Sequence, residues 1–369
     1  MVSLKQTEEV YIEHGQTWEN GWDSCTKKTN HDDFINISEL IGNKLINKDY
    51  HGVKITEDLN TCLCLLADLT GRIQIPLGAD NKYGTGFVQK VRKSKVGGCP
   101  CPECVRNKQS KKDWAILSIT IVLHVLPEQA EAEKCVLHLF CDDEQKADEV
   151  KTDEQKADEQ KAEEQRADEQ KADEQRADEQ KADEVKTDEQ NADKQKADAQ
   201  KADEEKTDAQ KKIEPKTVYG RRLADTDKER GDNDWCFVEC VTHDMDLVGK
   251  LEKTIKDFND LQKKLYQQYK NNKEKQLVVI VSHPHGGPKR ISFGHTVEKK
   301  SLKDVRENQN WCNYSYNTAT CPGSSGAYVF ILGQPLCGSG YWFGHPHNHS
   351  HYTGAQLINC SSIGVDHIG

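Results

Sequence analysis

The chain is poor in apolar residues. Only 35% of its 369 residues are hydrophobic against 31% charged, low for a globular protein of this length. It has no run of 18 or more apolar residues, which argues against a membrane-spanning helix. Residues 1–20 hold no apolar core of the length a secretory signal requires. There is no basic excess either: the formal charge is −11, which argues against nucleic-acid binding through a basic surface. The shortage of apolar side chains is local. From about Asp143 to Lys212 the sequence repeats Lys-Ala-Asp-Glu-Gln, with no apolar side chain larger than alanine apart from a rare valine. That segment carries the whole net charge and cannot bury a face against a core.

The repeat is built mostly from good helix formers. Each lysine has opposite charges three positions away on both sides, at about 0.2–0.5 kcal/mol per pair. The composition predicts a solvated fluctuating helix, otherwise disorder, and a surface for a protein partner. Its ends must lie close together, because it interrupts an otherwise compact domain, and closure entropy grows slowly enough with loop length to allow this.

The chemistry-bearing stretch is Thr318-Ala-Thr-Cys-Pro-Gly-Ser-Ser-Gly-Ala-Tyr-Val-Phe-Ile-Leu332. A serine in a tight Gly-x-Ser-Gly turn followed by an apolar strand suits an exposed nucleophile. Ser325 is the better of the two serines, being followed directly by glycine. The amides of Gly323 and Ser325 are the expected oxyanion donors. A serine nucleophile needs a base and an orienting carboxylate. The run Asp113–Leu126 predicts an apolar strand ending on His124, and Asp232-Asn-Asp-Trp-Cys-Phe-Val puts Asp234 at the mouth of another.

Histidine, aspartate, serine, each at a strand edge, is the order of the chymotrypsin-like families. Over roughly residues 62 to 369 the chain resembles the trypsin-like serine proteases. Gly84-Thr-Gly-Phe87 is similar to their first-barrel strand opening, Thr120–Val125 to the histidine segment, and Asp234-Trp-Cys-Phe-Val to the aspartate strand. Val281–Gly294 is similar to the strand pair that opens the second barrel. The resemblance implies an all-β fold of two antiparallel six-stranded β-barrels, a His124–Asp234–Ser325 triad, and a polypeptide substrate. It also implies a pocket: Thr320 and His351, in His351-x-x-Gly354, match the positions that bind Glu or Gln side chains in glutamyl endopeptidases. One departure stands out. Val122 and Leu123 replace the two small residues the family has before its histidine, and this underlies a second reading, an inactive protease-fold binding module or a zinc-stabilised scaffold.

Around the barrels, residues 1–60 read as an extension of little periodicity, 61–142 and 213–244 as the two parts of the first barrel around the insertion at 143–212, and 273–369 as the second barrel. Between them, Leu247, Leu251, Ile255, Phe258, Leu261 and Leu265 form one helical stripe over residues 245–272. It is expected to cover the barrels. The 14 cysteines, without a signal segment, read as reduced thiols of a cytoplasmic protein. Cys99, Cys101 and Cys104 stand at zinc-knuckle spacing, with Cys135, His138 or Cys141 as the expected fourth ligand of a structural zinc. The protease chemistry itself requires no cofactor.

Overall fold

The computed structural model describes residues 6–7, 11–13, 18–78, 80–94, 98–108, 111–142, 215–224, 234–272, 276–306, 309–334, 345–353 and 356–367. The repeat at 143–212, the strand expected at 335–343 and Gly354 lie outside them.

The amino-terminal part contains β1 (Gln6–Thr7), β2 (Tyr11–Glu13), α1 (Trp18–Asp23), a 3-10 helix (Lys28–Asp33), β3 (Phe34–Asn36), α2 (Ile37–Ile41) and the small hairpin β4 (Asp49–Tyr50) and β5 (Val53–Lys54). Next come α3 (Glu57–Leu69), β6 (Thr70–Leu77), β7 (Asp80–Ser94), α4 (Pro102–Asn107), β8 (Trp114–Ile121), α5 (Gln129–Ala132), β9 (Val136–Leu139), β10 (Lys216–Ala224), β11 (Cys236–Thr242) and α6 (Met245–Tyr269). The remainder is β12 (Leu277–Ser282), β13 (Arg290–Arg306), β14 (Gln309–Tyr316), β15 (Val329–Ile331), β16 (His347–Thr353), β17 (Gln356–Ser361) and β18 (Gly364–His367).

Strands β6 to β11 form a closed antiparallel barrel in the order β7-β6-β9-β10-β11-β8, with β8 pairing back onto β7. β-branched residues make up half of β8 (Trp-Ala-Ile-Leu-Ser-Ile-Thr-Ile), as a pleated, half-buried surface favours. Ile73, Ile119, Leu137 and Val238 are wholly buried inside. The pair Leu139–Lys216 joins β9 and β10, the strands on either side of the insertion.

The second sheet corrects the expectation of two closed barrels. Its order is β1-β16-β17-β14-β13-β12-β15, with β18 on β14 and β3 on β13. Among the described residues its ends meet through one bridge, Tyr328–Pro346, flanked by His347 N–H donating to Ala327 O at 2.7 Å and Gly326 N–H to His347 O at 2.8 Å. Two causes keep the seam short. Strand β15 has three residues, and Pro346 has no N–H to extend the ladder. The amino-terminal segment is also more than an extension: β1 adds to β16, β2 to β7 and β3 to β13.

Helix α6 covers the barrels as its stripe predicts. Leu247, Leu251, Phe258 and Leu265 are buried. Its first turn is capped by Asp244 Oδ1 accepting from Leu247 N–H at 2.8 Å, a contribution of about 1 kcal/mol. Gln262 Nε2 donates to Tyr328 OH at 2.9 Å, and Lys264 pairs with Asp58 of α3 at 2.7 Å. No helix among the described residues is long and apolar enough to cross a membrane. No disulfide joins any of the described cysteines.

Candidate active site

Strand β8 ends at Ile121 rather than at His124. The chain then turns, with Val125 N–H donating to Val122 O at 3.2 Å, and His124 sits in that turn. Val122 is buried and Leu123 packs against the core, so their bulk is taken up by the barrel interior. Asp234 lies two residues before β11, which pairs with β8 from Cys236–Ile121 to Thr242–Ala115. That register sets Asp234 beside His124. One carboxylate oxygen of Asp234 accepts from the His124 backbone N–H at 2.8 Å, and the other meets His124 Nδ1. Asp234 is itself held by Ser362 Oγ, which donates to its carbonyl at 2.7 Å. Histidine backbone and ring are therefore fixed by one carboxylate, leaving Nε2, a buried atom, on the side of the ring away from Asp234. That atom has no hydrogen-bond partner among the described residues.

Ser325 lies in the turn before β15. The turn is drawn tight by Ser324 N–H to Cys321 O at 2.9 Å and Ala327 N–H to Ser324 O at 3.0 Å. Gly323 (φ +95°) and Gly326 (φ +91°) both adopt left-handed backbone, and a Cβ on Gly326 would fall 2.2 Å from Thr85 O. The serines are told apart by their partners. Ser324 Oγ is 3.0 Å from Ser282 Oγ in the interior. Ser325 Oγ instead donates to Asn348 O at 3.3 Å, and the residue is fully buried.

Thr85, in the Gly84–Phe87 motif, binds this turn from the first barrel. Its N–H donates to Ser325 O at 2.9 Å and its Oγ1 to Gly323 O at 2.8 Å. The same Oγ1 accepts from His283 N–H at 3.1 Å. Arg72 Nη1 reaches across to Gly286 O at 2.8 Å. The sequence marks Gly84-Thr-Gly-Phe87 only as a strand opening. Its role as a tie between the two halves depends on the contact between sheets.

The residues matched to a specificity pocket are not brought together. Thr320 is buried, and its Oγ1 donates to Asn359 Oδ1 at 2.9 Å, with Ser350 Oγ at 3.5 Å. Ser350 and Asn359 are cross-strand partners on β16 and β17. His351, one residue on, turns to the other face, where its Nδ1 is 3.5 Å from Cys360 Sγ. A single substrate side chain cannot bond both. Lys27 Nζ enters the Thr320 side instead, donating to Ser350 Oγ at 2.8 Å, and burial lowers its ammonium to about 8. Of the histidines before Gly354, His349 and His351 lie together with Cys360, their donor atoms within 4.8 Å of one another, while His345 and His347 have other partners. His345 Nε2 meets Asp366 Oδ1 at 2.9 Å, and His347 Nδ1 meets Tyr316 OH at 2.5 Å. Burial pushes the His349 imidazole down to about 4, helped by the neighbouring His347, His351 and His124.

Cys99, Cys101 and Cys104 converge, but on His243 rather than on the expected fourth ligands. Its Nε2 lies 2.9, 3.9 and 3.6 Å from their sulfurs. The amides of Cys101 and Cys104 donate to Cys99 and Cys101 sulfur at 3.4 and 3.3 Å. Cys135, His138 and Cys141 lie in or beside β9, which pairs with β6 and β10. There His138 Nε2 is bonded to Gln74 Oε1 at 2.9 Å. Cys99, Cys101 and Cys104 instead pack with Trp114 of β8 and Val241 of β11. Only the β8–β11 register identifies His243.

No protein-family model and no curated protein sequence matches this chain. Among solved structures it is similar to the crystal structure of a thermostable serine protease, AL20, from an extremophilic microorganism. The two share 9% identity at a TM-score of 0.30, over 81% of this chain and 92% of that one.

Proposed function

We propose that the chain is a serine endopeptidase in which Ser325 is the nucleophile, His124 the general base and acid, and Asp234 the orienting carboxylate. The observation that carries this reading is the double hold of Asp234 on His124. It fixes the Nδ1–H tautomer and leaves Nε2 as proton acceptor, the requirement of a triad base. Ser325 Oγ would attack the peptide carbonyl carbon as its proton passes to Nε2. The oxyanion would lie against the Gly323 and Ser325 amides. His124 would then return the proton to the leaving amine, and a water would release the acyl group by the same steps in reverse order. The separation of Thr320 from His351 removes the basis for a Glu or Gln preference, and the reading stops at a polypeptide substrate.

One observation favours a second reading, an inactive binding module: Ser325 is buried and bonded to Asn348. A fluorophosphonate probe, which reacts only with an activated serine, separates the two. Labelling of the wild type that is lost in both Ser325→Ala and His124→Ala is the expected result. An unlabelled wild type would replace the protease reading with the binding module, with the charged repeat as a surface for a protein partner.

Cys99, Cys101, Cys104 and His243 supply three thiolates and an imidazole, the donor set of a structural zinc site. The three Nε2–Sγ distances, 2.9, 3.6 and 3.9 Å, bracket the edge of about 3.6 Å expected for tetrahedral zinc with bonds near 2.0 and 2.3 Å. Zinc here would fasten Cys99, Cys101 and Cys104 to the end of β11, the strand that Asp234 precedes by two residues. A fall of one zinc per chain in Cys104→Ser is the expected result.

A further inference from the structure

A second cluster lies on the other half of the molecule. Cys25 and His31 come from the amino-terminal segment, His285 from the β12–β13 connection, and Cys321 from the turn four residues before Ser325. One donor atom of each lies within 4.8 Å of all the others. We propose that these four residues bind a zinc ion, tying the amino-terminal segment to the serine turn.

The geometry is that of metal ligands rather than of a disulfide. Cys25 and Cys321 sulfurs stand 3.7 Å apart. A disulfide requires about 2.05 Å, whereas two thiolates about 2.3 Å from a tetrahedral zinc are separated by about 3.8 Å. His31 gives an independent sign. It is 8% exposed, yet neither ring nitrogen has a hydrogen-bond partner among the described residues. Buried polar groups are normally satisfied, and a metal bond at one nitrogen would meet that need.

The surroundings fit the same conclusion. Lys27 N–H donates to Cys25 sulfur at 3.3 Å, the amide-to-thiolate bond also present in the Cys99 cluster, and such outer contacts orient metal ligands. His285 is held at φ +56°, an uncommon left-handed conformation outside glycine, and its N–H donates to Pro322 O at 2.6 Å. Strain of this kind gathers at ligand-binding positions. Trp22 lies against the His31 ring at a centroid distance of 3.9 Å and meets His285 edge-on at 5.9 Å, so the site is walled by an aromatic side chain. Two thiolates and two imidazoles with no carboxylate select zinc over magnesium or calcium. The two thiolates would neutralise the ion, so no net charge would be buried.

The test is the metal content of the full-length chain, purified without chelator and measured by mass spectrometry of zinc against protein. Wild type is expected to hold two zinc ions. His31→Ala and Cys25→Ala should each lose one, and His31→Cys should keep it. Cys104→Ser, which leaves this site intact, should retain one, and after exchange with cobalt should show a thiolate-to-metal charge-transfer band. A zinc count unmoved by His31→Ala, a Cys104→Ser chain without zinc, or an intact mass showing a Cys25–Cys321 disulfide would each overturn the proposal. Because zinc is counted without reference to catalysis, the outcome does not depend on the protease reading.

Discussion

The two halves of the molecule hold their proposed catalytic groups by different means. The first barrel is closed by six strand pairings, and His124 and Asp234 sit just beyond the paired ends of β8 and β11, whose register continues for seven residue pairs. Among the described residues the second sheet meets itself at one bridge, and Ser325 lies in the turn that enters that seam. Its position depends on Thr85 in the other half as much as on its own sheet. A histidine fixed by a ladder is set as soon as the barrel forms. A serine fixed by a seam and a borrowed threonine is set only when both halves have formed and docked.

The largest expected effect comes from breaking the seam itself. Gly326→Ala places a Cβ against Thr85 O in a left-handed conformation, and should cost about 3 kcal/mol or more. The urea midpoint should drop and fluorophosphonate labelling should disappear. If the variant labels normally, the turn is not constrained as described. Removing only the tie is milder. Thr85→Val leaves a buried carbonyl at Gly323 and a buried amide at His283 without that partner, at about 2 kcal/mol. It should slow labelling roughly 10–100-fold through misplacement of the serine, while the first barrel keeps its hydrogen-exchange protection.

The smallest effect is graded by pH. His138 in the closed barrel and His347 at the seam are both held well below the usual 6.5, chiefly by burial and then by nearby cationic groups. The folded state keeps them neutral while the unfolded chain takes up protons below about pH 6.5. Stability is therefore fully present above that value and falls as pH drops below it, by at most about 1.4 kcal/mol per pH unit for each histidine. Urea unfolding at pH 7.5 and 5.5 should show the fall. Hydrogen exchange at pH 5.5 should open Gly326 and His347 amides before those of β9, and the reverse order would contradict the contrast between the halves.

The legible parts of the fold were those written in local periodicity. The stripe from Leu247 to Leu265 gave α6 its span and its buried face. The apolar runs gave β8, β11, β12 and the start of β13. Strands β1, β2 and β3, of two or three residues each, are too short to show a period and are defined only by their partners. The Asp234–His124 pair was readable from order and from strand edges. Thr85, Ser362 and His243 were not, because each acts across a distance that only sheet register specifies. Thr320 and His351 illustrate the same limit. Their spacing matched a pocket, but Ser350 pairing with Asn359 decides which face each side chain takes.

The join between β9 and β10 has one more implication. Because Leu139 pairs with Lys216, the register of the barrel is set wholly by residues outside the repeat, and the number of pentads between them does not enter its geometry. A tandem unit could be gained or lost without altering a single rung of the ladder. The ladder therefore sets no requirement on the length of the repeat, and a change in pentad number leaves the pairing around it as it is.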